Sequence, residues 1–190
     1  KQPGFTLTEL IVVLVILLII AAISLPHIKA HTIDAYLLGA GQTFKGRFRE
    51  ARSIAVRSNV QTAIRFEVDD HGAHYSIYVD GNHNGVRSCD IERGVDRRIR
   101  GPLPLNGGAP GVWIGIHPDT PAPPPDRGVL DTRRPIRFGR SMMISFSPLG
   151  TATPGTFYLA GEGGQAAVRV TPGSARVRLM VFRGGIWRVR

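Results

Sequence analysis

The sequence predicts an α+β protein: one long N-terminal helix, its first half apolar on every side, packed on an antiparallel β domain. Three observations carry this. Every residue from Leu10 to Ile23 is apolar. A helical period of apolar residues follows, up to about Ser58. From Gln61 onward the period falls to two, and turn-forming residues separate short β-rich runs.

The first element is the run LIVVLVILLIIAAI at 10–23. Extended to the nearest breakers it covers Phe5 to Leu25, with Glu9 as its single charge. A helix of that length spans about 31 Å, against about 30 Å for the hydrocarbon core of a bilayer. Residues 5–25 therefore read as a transmembrane helix. A secretory signal peptide has a shorter apolar region that ends at a small-residue cleavage site. AAIS at 21–24 echoes such a site, but amphipathic sequence continues straight after it. Glu9 is costly inside hydrocarbon unless it is paired. Either it lies near the interface, close to the polar KQPG start, or a partner supplies a cation. Lys1 and Lys29 flank the run on its two sides, so charge does not set the orientation.

The second element, residues 26–58, continues the helix. Ile33, Leu37, Phe44, Phe48, Ala51 and Ala55 share one face, and Lys45, Arg47, Arg49, Arg52 and Arg57 occupy the other. Gly39, Gly41 and Gly46 weaken it. The expectation is a helix from Phe5 to Ser58, bent or locally melted near Pro26 and 39–41.

Residues 59–190 read as the β domain. Its strands are TAIRFEV, HYSIYVD, GVWIGI, MMISFS, GTFYLA, AAVRV, ARVRLMVF and GIWRVR, with turn signals between them. A Pro/Gly/Arg-rich stretch, 97–140, reads as a long surface loop holding one or two strands.

Composition narrows the function. The 190 residues suit one domain with an extension, and the net charge of +10 is mostly arginine. Such a balance favours anionic partners: lipid headgroups, nucleic acid or acidic protein. Cys89 is the single cysteine, which excludes an intrachain disulfide. No nucleophile elbow, P-loop, HExxH or dinucleotide fingerprint is present, so the sequence reads as a non-enzyme without a cofactor. His71, His74, His83 and Cys89 fit no zinc spacing and read as loop residues. Asp80, Asn82 and Asn84 match the first half of a calcium loop, but its twelfth position is Ile91. A hairpin turn built on the Asn-Gly pair at 84–85 is the preferred reading.

KQPGFTLTELIVVLVILLIIAAISLP resembles the class III signal of type IV prepilins and pseudopilins. The resemblance implies that residues 1–4 are a leader remnant. A prepilin peptidase would cut after Gly4 and methylate the new amine on Phe5. It also implies that Glu9, fifth after the cut, pairs with the Phe5 amine of a neighbouring subunit. Pro26 falls where the family often kinks its helix. The implied location is the bacterial inner membrane, single pass, with the C-terminal domain periplasmic. The implied partners are other pilins or pseudopilins.

FREARSIAVRSN, YVDGNHNG and ISFSPLGTATPGTFYLA narrow the resemblance to the GspH/FimT group. That implies a pilin-like fold and the role of a minor pseudopilin in type II secretion. The alternative is a FimT-like minor type IV pilin that binds DNA during uptake. A third reading, of another class, is a single-span membrane protein unrelated to filaments. In that case Glu9 and the Gly4–Phe5 bond would be dispensable.

The group's Gly-Arg-x-Arg signature, linked to DNA binding in FimT-like members, appears as SARVR, with Arg176 and Arg178 matching and Ala175 replacing the glycine. Residues 163–190 carry no acid. Arg176 and Arg178 share a strand face, and Arg188 and Arg190 repeat that spacing. A hairpin through Arg183 and the following glycines would join the pairs in one basic ridge able to contact nucleic-acid phosphates. The plain alternative is a solvated outer face.

Overall fold

Thr6 opens the first helix. Its backbone is extended, at φ −83° and ψ 152°, and its hydroxyl accepts the Glu9 N–H at 3.3 Å. This satisfies one of the donors that a helix start leaves free. From there α1 (Leu7–Ser58) is continuous until Asn59, which closes it in the left-handed conformation at φ 54°. The computed structural model describes residues 6–69, 72–106 and 108–190, with backbone alone at 23–34.

The expected melting does not occur, since α1 is helical at Pro26 and throughout 39–41. At Gly41 packing outweighs propensity. Gly41 is buried, and a Cβ placed on it would stand 2.6 Å from Leu179 Cδ1. The missing side chain lets the helix approach the sheet closely. Gly39 and Gly46 face open space.

The strands are β1 (Thr62–Asp69), β2 (Gly72–Val79), β3 (Arg97–Pro104), β4 (Val112–Ile114), β5 (Ile136–Arg137) and β6 (Met143–Phe146). After them come β7 (Gly155–Gly161), β8 (Gly164–Val170), β9 (Val177–Arg183) and β10 (Ile186–Val189). A short helix, α2 (Ser88–Glu92), lies between β2 and β3. One sheet has the order β3-β2-β1-β6, and the other β10-β9-β8-β7-β4 with β5 also on β7. All of these pairings are antiparallel.

The apolar face of α1 fills the space between the two sheets. Leu37, Ala40, Phe44, Phe48, Ala51 and Ala55 are all buried. The Phe44 ring lies 5.4 Å from Tyr75 on β2 and 4.5 Å from Phe157 on β7, so one side chain touches both sheets. Phe48 reaches Phe66 at 6.3 Å and Phe138 at 5.8 Å. Phe66 is itself stacked between Phe138 and Phe157, each 5.5 Å away. Ring pairs at these separations contribute about 0.5–1.5 kcal/mol each beyond their buried area.

The stretch 97–140 differs from expectation. It holds three strands, β3, β4 and β5. It also sends Leu105, Val112, Ile136 and Phe138 into the main core, so it is not confined to the surface. Partly buried side-chain bonds fasten it. Gln165 Nε2 donates to Gly115 O at 2.8 Å, and the His117 N–H donates to Gln165 Oε1 at 2.9 Å. Trp187 Nε1 donates to Pro121 O at 2.9 Å.

Among the described residues no helix is long and apolar enough to cross a membrane. Of the expected span 5–25, Phe5 and the side chains from Ile23 onward lie outside the described residues. The large apolar side chains from Leu10 to Ile20 are all exposed.

These contacts separate the three helical glycines. Gly39→Ala and Gly46→Ala are expected to raise the melting temperature of the full chain in detergent, each by about 0.8–1 kcal/mol of stability. Gly41→Ala is expected to lower it, because Leu179 must move. A stabilising Gly41→Ala in a circular-dichroism melt would show that the close approach imposes no constraint.

Candidate functional site

The N-terminal site can be placed only in part, because Gly4 and Phe5 lie outside the described residues. Glu9 is exposed in the first turn of α1, where its N–H is held by Thr6 Oγ1. Thr6 and Glu9 stand three apart, in capping-box order. An acid at this position is favoured by about 0.3–1 kcal/mol through the helix dipole. The helix start thus offsets part of the cost of a charge placed beside an apolar run. Any partner cation adds to that.

The C-terminal arginines form a hairpin but not one ridge. β10 pairs with β9 through Gly184 and Gly185, with Arg183 opposite Ile186, Phe182 opposite Trp187 and Arg188 opposite Val181. Arg188 therefore shares a face with Val181 and Leu179, whereas Arg176 and Arg178 belong to the face of Met180 and Phe182. The expected ridge of both pairs is corrected by this register. Arg183 and Arg188 instead line a groove of about 390 Å³ beside Ala35, Leu37 and Leu38 of α1.

Arg176 and Arg178 meet different partners. With Arg190 they line a cavity of about 410 Å³ whose other wall carries Lys45, Arg49 and Arg52 of α1. The three helix residues are four and three apart, hence on one face. Lys45 Nζ donates to Arg190 O at 3.0 Å and ties the helix to the end of β10. Sequence reading placed these helix cations on the face opposite the apolar one and assigned them no partner. The i, i+4, i+7 spacing was visible, but which strand end it faces depends on tertiary packing. Arg169 plays a structural part. Its guanidinium meets Asp126 Oδ2 at 2.6 Å and Pro124 O at 3.1 Å, pinning the long connection onto β8.

The loop at 80–85 spends its oxygens on its own backbone. Asp80 accepts the Asn82 and Gly85 N–H groups at 3.1 and 2.7 Å, and Asn82 Oδ1 accepts Asn84 N–H at 3.2 Å. Asn84 Nδ2 donates to Asp90 Oδ2 at 3.1 Å. Asp96 accepts Gly81 and Arg87 N–H groups at 3.1 and 2.9 Å. The expected tight hairpin is not formed. β2 does pair with β3, with Val79 opposite Arg97, but residues 80–96 and α2 connect them. Among the described residues no group of three or more His, Cys, Asp or Glu is arranged to hold a metal ion. His74 lies between Glu67 and Asp69, at 3.2 and 3.7 Å, and His71 is outside the described residues. On the other flank of α1, Glu50 bridges Arg47 at 2.9 Å and Arg100 of β3 at 2.8 Å. The Glu50 hydrogen bond holds the Arg47 pKa above its ordinary value.

A capped helix whose second half is wedged between antiparallel sheets, with an acid in its first turn, defines a pilin-like subunit. Residues 1–25 match the prokaryotic N-terminal methylation motif, and residues 40–174 match the type II transport protein GspH. The chain belongs to the GspH family. That family is one of structural pseudopilins, and the chain is a minor pseudopilin or pilin subunit. No curated protein and no solved structure matches it. Arg176, Arg178 and Arg190 lie beyond the matched residues, whereas Lys45, Arg49 and Arg52 lie within them.

The self-bonded loop generates a test. Asp80→Ala strands two N–H groups at a buried position and is expected to cost about 1–3 kcal/mol. Asp80→Asn, which keeps one acceptor, is expected to cost less. Calcium at millimolar concentration is expected to leave the wild-type melting curve unmoved. A calcium-dependent rise in melting temperature would overturn the assignment of these oxygens to the backbone.

Proposed function

We infer that the chain is a minor pseudopilin of a type II secretion pseudopilus, a structural subunit in protein export across the outer membrane. The observation that carries this reading is the pairing of two features in one chain. A methylation motif contains a capped helix start bearing Glu9, and a GspH match follows it. In this reading residues 5–25 anchor the subunit in the inner membrane, and the β domain stands in the periplasm. A prepilin peptidase cuts after Gly4 and methylates the Phe5 amine. Glu9 then pairs with the Phe5 amine of a neighbouring pilin or pseudopilin. Thr6 supports the pair by fixing the first turn, so the carboxylate is presented from a rigid position.

The second reading, a FimT-like minor pilin that takes up DNA, rests on the exposed Arg176 and Arg178. It loses support from the register that separates them from Arg188. A single-span protein outside filaments leaves the Glu9 position without a role.

Co-expression with a prepilin peptidase is expected to give a mature chain beginning at Phe5 and methylated there, read by intact mass. Glu9→Leu removes a charge from an apolar run, so membrane levels should hold. Filament incorporation and secretion should fall severalfold. Full incorporation of Glu9→Leu would refute the pairing role. An uncut chain in the presence of active peptidase would refute the subunit reading itself.

A further inference from the structure

The cavity between α1 and the start of β9 gathers Lys45, Arg49, Arg52, Arg176, Arg178 and Arg190, and no acidic residue lines it. None of the six is ion-paired among the described residues. The acid next to them in sequence, Glu50, is already committed to Arg47 and Arg100. Six like charges around about 410 Å³ repel one another, and water only partly screens them. Such an arrangement is relieved by a ligand carrying several oxyanions, which arginine forks bind through paired hydrogen bonds.

We propose that this cavity is a docking site for an acidic polypeptide segment of a partner protein. Three observations select that occupant. First, Ala175, Val177 and Val189 line the cavity among the cations, and Val189 is 66% exposed. A peptide that alternates carboxylate and aliphatic side chains satisfies both kinds of wall. A phosphate backbone leaves the exposed Val189 uncovered. Second, the cations line a concavity instead of running along one ridge, and the surface of a nucleic-acid duplex is convex. Third, the chain carries a net charge of +10, so a second copy would bring mostly cations. The partner is a different, acidic protein. Lipid headgroups are out of reach in the membrane-anchored reading on which this proposal rests. Lys45 stands 20 residues beyond Leu25, the end of that anchor. That is about 30 Å along a continuous helix, several Debye lengths away.

The test uses the full chain in detergent and a fluorescein-labelled hexapeptide of alternating glutamate and valine, read by anisotropy at low salt. Saturable binding is expected. It should weaken by roughly tenfold or more in Arg49→Gln/Arg178→Gln, since charged hydrogen bonds to the peptide are lost at both positions. The control Arg97→Gln/Arg98→Gln removes the same charge from exposed positions on β3 and is expected to bind as wild type. A hexapeptide of alternating glutamine and valine, which needs no variant, is expected not to bind. Absence of saturable binding, or equal loss in the control variant, would overturn the proposal. So would displacement of the peptide by a DNA duplex at lower concentration than by unlabelled peptide, which would assign the cavity to nucleic acid. The binding isotherm is independent of N-terminal processing. Failure here leaves the mass-spectrometric test of the subunit reading intact, and the reverse also holds.

Discussion

The rest of the structure depends on the contact of Phe44 and Phe48 with both sheets. The four-stranded sheet offers Phe66, Tyr75 and Phe146, and the other offers Phe157. Phe66 and Phe157 stack directly on each other, and the two helix rings close over both sides of that contact. Burying a phenylalanine side chain contributes about 1.5–3 kcal/mol, and each helix ring also gains several edge or tilted aromatic contacts. A helix of 52 residues, exposed from Leu7 to Ala22, thus becomes a fixed part of the β domain from Leu37 onward. The glycine at 41 serves the same contact by letting Leu179 close over the helix backbone.

That packing decides which polar groups can act. On one flank of α1, Glu50 links the helix to β3 through Arg100, and its charge is neutralised there. On the other flank, Lys45, Arg49 and Arg52 face a strand end that supplies only more arginine. The two flanks differ because β3 and β9 belong to different sheets, one on each side of the helix. Intramolecular charge pairing is therefore one-sided, and the unpaired side is where a partner's charge has most effect.

Much of this was legible in the sequence because it rests on local period. The helical face from Leu37 to Ala55 and the alternating strands β1, β7 and β8 follow from residue spacing. β3 was not legible. RRIRGPLP has no apolar alternation, and its two prolines suit only an edge strand, which is where it lies. The buried part of 97–140 was masked by proline and glycine, whose turns carry isolated apolar residues such as Leu105 and Phe138 inward. The arginine ridge failed on parity. A two-residue turn at Gly184 and Gly185 sets even-numbered residues of β9 against odd-numbered residues of β10, so Arg178 and Arg188 cannot share a face. The Glu9 motif was readable in full as sequence, but its hydroxyl cap became visible only with the helix start in place.

The continuity of α1 also has a mechanical meaning. A pull on its first turn travels through the serial backbone hydrogen bonds of one helix, a ladder that lacks the bond Pro26 has no N–H to donate. It reaches the β domain where Phe44 and Phe48 are wedged, near the middle of the fold. Load enters as shear between a rod and two plates, not as peeling of an outer strand. Shear strains many contacts at once, whereas peeling would open them one by one. Part of the load also passes to the sheet edges, through Glu50 to Arg100 on β3 and through Lys45 to Arg190 at the end of β10.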